Sequence, residues 1–206
     1  MIQLTKTYDK TTTGLLLVDP YNDFLDPKGK AYPKEISESV NFFEHLKEIV
    51  SEARKDGIRV FYVPHHRSEL DDYDTWLHPT PSNQVKFKPL QAFARGSWGG
   101  EFHPDVQPQK GDVVVHEHWG SSGFANTDLD HQLKMHGVQK IIIIGALANT
   151  CVEATARYGS ELGYHVTLVT DASTAHSHEA MHAAHEINGP TFAHAILTTE
   201  ELLAAL

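Results

Sequence analysis

The chain has a single cysteine, Cys151, in 206 residues. An intramolecular disulfide is therefore excluded, and a reducing compartment fits. Basic residues are few: 17 Lys and Arg stand against 27 Asp and Glu, for a formal net charge of −10. That balance argues against nucleic acid and anionic membrane as partners. Apolar runs stop far short of the ~20 residues that a membrane-spanning helix needs. Met1 to Lys10 is polar and mixed in charge, unlike a secretory signal, so cytoplasmic residence is the expectation. Internal repeats, low-complexity tracts and linkers are also missing, and residues 1–206 read as a single domain with a substantial core.

What is present is an alternation of strand and helix patterns. Strands are expected over 14–19, 58–63, 112–115, 138–144, 164–170 and 193–197, several of them apolar throughout. Helical spacing runs over 33–56, with Pro33 suited to the first turn and Gly57 to the end. Further helices are expected over 127–136, 150–162, 177–188 and 199–206. Continuous apolar strands alternating with helices imply an α/β fold, a three-layer sandwich around a six-stranded, mostly parallel sheet. His65 to Lys110 breaks the alternation. It carries Pro79, Pro81, Pro89, Pro104 and Pro108, two tryptophans and little periodicity, and reads as a long excursion over one end of the sheet.

Cys151 follows the buried run Ile141 to Ile144 and a short turn, at the start of a helical pattern. Ligand sites of open α/β sheets lie at such carboxyl ends of strands. The free N–H groups of a helix start also favour a thiolate. Equally, a lone cysteine is often a buried, inert residue. Asp19 ends the first strand, and His116-Glu117-His118 follows the third. In a parallel sheet these ends share one edge, so a carboxylate, a basic group and a thiol can converge into a nucleophilic set.

Three segments in order then resemble the isochorismatase-like hydrolases of the cysteine amidohydrolase type. Leu16-Leu17-Val18-Asp19-Pro20-Tyr21-Asn22-Asp23-Phe24 is similar to the family's opening motif, and Ser122 to Asp130 to its middle motif. Gly145 to Arg157, which contains Cys151, is similar to its nucleophile motif. The resemblance implies strand order 3-2-1-4-5-6 and a catalytic triad of Asp, Lys and Cys. Asp19 and Cys151 fall on two of its members. Between Lys110 and Lys134 there is no lysine. The third position falls on His118, with Glu117 and His116 as rivals. The resemblance also implies a cis peptide at Ala146–Leu147, with the backbone N–H groups of Leu147 and Cys151 forming the oxyanion hole. A partner subunit contributing near the His65–Lys110 excursion is implied too, hence a homo-oligomer.

Phe24, His65, Trp119 and Phe124 are candidate pocket residues for a small-molecule substrate. The family's nicotinamidases carry an Asp-x-His metal motif near His65-His66. This chain lacks the aspartate, so neither a metal nor another cofactor is expected. His178, His182 and His185 share one face of a predicted helix and read as a solvated row rather than a zinc site. The functional expectation is a cysteine-dependent hydrolase of a C–N bond in a small carbonyl compound, working through a thioester. The alternatives are hydrolysis of an isochorismate-like vinyl ether and an inactive binding protein on the same fold.

Overall fold

The computed structural model describes residues 7–206. Six strands form one sheet: Thr13–Val18 (β1), Arg59–Val63 (β2), Val113–Val114 (β3), Lys140–Ala146 (β4), His165–Thr174 (β5) and Ala195–Leu197 (β6). Every pairing is parallel, and the order is β3-β2-β1-β4-β5-β6. The expected order and layering are those observed.

The sheet is apolar on both faces because both are covered. In β1 and β4, Leu15, Leu17, Ile142 and Ile144 point to one side, and Leu16, Val18, Ile141 and Ile143 to the other. The first side packs on Phe42–Lys55 (here α3, after the short helices Asn22–Leu25, α1, and Lys34–Ser39, α2). Helix α3 presents Phe42, Leu46, Ile49, Val50 and Ala53 at helical spacing. The second side packs on Leu129–Met135 (α4) and Glu153–Glu161 (α5), through Leu129, Leu133 and Ala156. Two further helices follow, His178–His182 (α6) and Thr199–Ala205 (α7). The start of α7 is fixed by a capping box between Thr198 and Glu201. Among the described residues no helix is long and apolar enough to cross a membrane.

Three local departures from the sequence pattern shape the site edge. The single helix expected over 33–56 is divided at Asn41, whose φ of 52° lies in the left-handed region that asparagine tolerates. Strand β5 continues to Thr174, past the expected end at 170, through a register shift. Ile143 pairs with Leu168, but Gly145 pairs with Ser173. Gly145 has φ 122°, and a Cβ there would lie 2.2 Å from the Val18 carbonyl oxygen, so only glycine lets β4 approach β1 this closely.

The His65–Lys110 excursion contains short turns at Pro81–Val85, Trp98–Gly100 and Pro104–Val106. It is tied down by the opening motif. The Asp23 carboxylate accepts from the backbone N–H groups of Phe93 (2.7 Å) and Lys30 (2.9 Å), and the Asn22 amide donates to the Trp98 carbonyl at 2.7 Å. A Cβ at Gly99 would fall 2.3 Å from an Asp23 carboxylate oxygen, which explains the glycine there.

Candidate active site

Asp19 stands directly after β1, at φ 53°, with its backbone N–H donating to the Val63 carbonyl. The following Pro20 and the Tyr21 N–H bond to the Asp19 carbonyl hold the chain in a tight turn. His118 is placed by a bridge to the end of β2. Its N–H donates to the Pro64 carbonyl, and the His66 N–H donates to the His118 carbonyl. Cys151 lies in a π-helical turn, Ala148–Val152, between β4 and α5. Three loops from neighbouring strands thus bring three side chains to one edge. Asp19 and His118 have no exposed surface, and Cys151 is 4% exposed. The Asp19 carboxylate oxygen, the His118 ring nitrogen and the Cys151 sulfur all lie within 4.8 Å of one another.

His118 Nε2 sits 3.1 Å from Asp19 Oδ1, and Nδ1 sits 2.8 Å from the Gly120 carbonyl oxygen. Both ring nitrogens therefore face acceptors, which suits a doubly protonated ring. Burial opposes that charge, but the Asp19 carboxylate and the Gly120 carbonyl outweigh it and hold the ring's pKa above the usual histidine range. Asp19 Oδ2 is buried without a hydrogen-bond partner.

The neighbours of His118 turn elsewhere. The Glu117 carboxylate bonds Arg67 (2.7 Å to Nε), Arg95 (3.1 Å) and His66 (3.2 Å). Burial works against that charge, yet the bonds from His66 and Arg67 bring its pKa down to about 2. The His116 ring is exposed, 3.6 Å from Asp128. Alternation along the extended segment turns 117 away from 116 and 118; His116 lies at the exposed side beside Asp128, and of the three only His118 meets Asp19.

The candidate pocket residues separate in the same way. His65 is buried, its ring 5.2 Å from that of His118 and edge-on to it. Burial and then the His118 charge push its pKa down to about 4. Nδ1 faces the His66 carbonyl at 2.9 Å, and Nε2 is buried with no partner. Phe24 is buried between Phe93 and Phe87. Phe124, expected at the pocket, instead stacks on Tyr158 and Tyr164 and packs the helix face of the sheet. Trp119 stacks on His66, with ring centroids 3.5 Å apart, and on Trp76. It lines a cavity of about 470 Å³ with Glu117, Arg67 and Tyr21.

A smaller cavity of about 180 Å³ adjoins the turn that holds Cys151, lined by Leu147, Asn149, Thr150, Lys86, Phe87, His176 and Ala180. Sequence reasoning missed Lys86 and His176. They arrive from the excursion and from the extended end of β5, and nothing in their local pattern marks them. Burial and then the Lys86 charge hold the His176 ring below its usual range.

The Ala146–Leu147 peptide is cis, as the family resemblance implied. The histidine row is not a trio. The α-helical turn ends at His182, and a π-helical segment, Ala183–Asn188, changes the phase. His178 and His182 are exposed beside Glu35 and Glu186, while His185 is buried.

Comparison with known proteins agrees with this fold. The Isochorismatase domain family matches residues 13–200. Ureidoacrylate amidohydrolase RutB of Caulobacter segnis is 30% identical over 179 residues, covering 80% of this chain and 73% of that protein. RutB of Caulobacter vibrioides is 29% identical over 207 residues, covering 94% of this chain and 90% of the relative. The crystal structure of a cysteine hydrolase from Pseudomonas syringae pv. phaseolicola 1448A superposes with a TM-score of 0.77 at 25% identity, covering 100% of this chain and 98% of the other.

Proposed function

The chain belongs to the isochorismatase-domain family of hydrolases, and from that membership we propose a cysteine amidohydrolase that cleaves a C–N bond in a small ureide or amide. One observation carries the reading: a carboxylate, an imidazole and a thiol, all buried, with their reactive atoms within 4.8 Å of one another. Asp19 Oδ2 accepts the Cys151 proton while Oδ1 stays bonded to His118. The sulfur attacks the substrate carbonyl, and the C=O bond becomes an oxyanion. That charge is met by the backbone N–H groups of Leu147 and Cys151; one such donor typically contributes roughly 3 kcal/mol. Collapse breaks the C–N bond, and the leaving amine takes the proton from Asp19. Water, deprotonated by Asp19, then attacks the thioester and frees the acid and the thiol.

In this scheme His118, when protonated, supplies the positive charge that lysine provides in the family pattern. It balances the charges of Asp19 and of the developing thiolate. The cavity beside Leu147, at about 180 Å³, suits a compact substrate, and Lys86 at its wall favours one bearing an anionic group. Leu70, Trp76, Leu77, Val85 and Leu90 are exposed apolar residues of the excursion and support contact between copies of the chain.

The decisive experiment is turnover of a panel of small ureides and amides, ureidoacrylate among them, with acid quench and mass spectrometry. An acyl adduct on Cys151, and loss of at least about 10⁴-fold in kcat for Cys151→Ala, are expected. Amide turnover that persists in Cys151→Ala overturns the reading. Pyruvate release from isochorismate, undiminished in that variant, would replace it with vinyl-ether hydrolysis.

A further inference from the structure

We propose that Asp19, His118 and Cys151 also form a site for a divalent metal of the zinc class, and that an ion bound there switches the hydrolase off. With lysine at position 118 the site would hold an ammonium, which cannot coordinate. Histidine replaces it with a nitrogen ligand and leaves the carboxylate and sulfur in place. One oxygen, one nitrogen and one sulfur, with a fourth position open to water, is a common zinc donor set.

The geometry is close to what such an ion requires. Bond lengths of about 2.0–2.3 Å in a tetrahedron put donors roughly 3.3–3.8 Å apart. Asp19 Oδ1 and His118 Nε2 are already 3.1 Å apart, and all three donors lie within 4.8 Å of one another. A sulfur and a nitrogen or oxygen on one tetrahedral ion sit about 3.5 Å apart, so the sulfur closes by roughly 1.3 Å at most to complete the set. Two further features point the same way. His118 Nδ1 faces the Gly120 carbonyl at 2.8 Å, the outer bond that metal-binding histidines ordinarily make and that leaves Nε2 for the ion. Asp19 Oδ2 is buried with no hydrogen-bond partner, as a carboxylate oxygen available to a cation would be.

Binding forms the S–metal and Nε2–metal bonds as the thiol and Nε2 protons leave to solvent. The ion holds the sulfur's electron pair and the carboxylate that would take its proton. The attacking atom and its base are lost together. The site stands on the three ligands alone, while the off-switch rests on the amidohydrolase reading.

The test titrates the metal-free full chain with Co²⁺ and reads absorbance, which needs no substrate. One equivalent of Co²⁺ should produce a sulfur-to-metal charge-transfer band, displaced by one equivalent of Zn²⁺. Cys151→Ser should lose the band, and His118→Lys should weaken uptake by at least about 100-fold. His178→Ala/His182→Ala should keep both, and circular dichroism checks each variant's fold. Absence of the band, or uptake unchanged in folded His118→Lys, overturns the site. In the turnover assay, Zn²⁺ should abolish wild-type activity reversibly on chelation and spare His118→Lys. Undiminished turnover with the site fully loaded overturns the off-switch.

Discussion

His118 and Asp19 meet with 3.1 Å between Nε2 and Oδ1, and neither side chain has any surface in water. The charge on the ring is thus tied to the carboxylate that the proposed chemistry uses. The ring's pKa is raised, so it stays protonated beyond the usual histidine range. Its contribution to stability is complete below about 6.5 and is lost as pH rises through the folded value. The alkaline limb of kcat against pH should report this ionisation. His118→Lys should move that limb upward, towards the ordinary lysine range near 10. His118→Gln should lower kcat by about 10²-fold or more on the plateau below that limb, with the difference shrinking above it. An alkaline limb identical in wild type and His118→Lys would contradict the role.

Lys86 stands at the wall of the cavity beside Leu147, from which it should attract an anionic substrate. Lys86→Met should raise KM for a carboxylate-bearing ureide about tenfold, a difference of ~1.4 kcal/mol, with kcat little changed. KM for an uncharged amide of the same size should hardly move. Parallel increases for both substrates would show that the substitution damages the cavity rather than removing a charge contact.

His65 is buried with a pKa lowered to about 4, so the folded protein carries this ring neutral where the unfolded chain would protonate it. The unfolded state therefore binds more protons between pH 6.5 and 4. Stability should fall through that window as the solution is acidified, by roughly 3 kcal/mol from this group alone. Urea unfolding of wild type and His65→Asn at a series of pH values checks it. The variant should show a shallower slope over that interval, whatever its absolute stability.

Gly145→Ala puts a methyl group 2.2 Å from the Val18 carbonyl oxygen at a residue with φ 122°. A backbone atom cannot swing aside as a flexible side chain would, so the loss should be at least about 3 kcal/mol. Denaturant midpoints for the purified variant measure it. A loss under 1 kcal/mol would mean that β1 and β4 can separate at their carboxyl ends without consequence.

Much of this architecture was legible because it rests on periodicity. The central strands β1, β2 and β4 carry near-continuous apolar runs where both faces are covered, and α3 shows its buried stripe plainly. Asp19 and Cys151 were legible because strand ends are marked by the change from apolar run to polar turn. The third member was legible only in part: counting along the resemblance put it at His118 and left Glu117 and His116 open. Choosing among 116, 117 and 118 needs the register of a two-residue strand and a single bridge to His65, and no local pattern encodes that. Phe124 misled for a related reason: an aromatic in a loop near the site can still turn towards Tyr158 and Tyr164. The histidine row failed because periodicity assumes an α-helix, and a π-helical segment takes over after His182.

Asp23 fastens the middle of the excursion, through Phe93 and the space at Gly99, to the same short segment that follows Asp19. The stretch between His66 and Ala92 supplies Arg67 to Glu117 and Lys86 and Phe87 to the cavity beside Leu147, so changes there can alter what is bound while this tie keeps its place. A lineage carrying this clasp is free to try new doorways over an unaltered workshop, and diversity in what enters need not be accompanied by diversity in what is done.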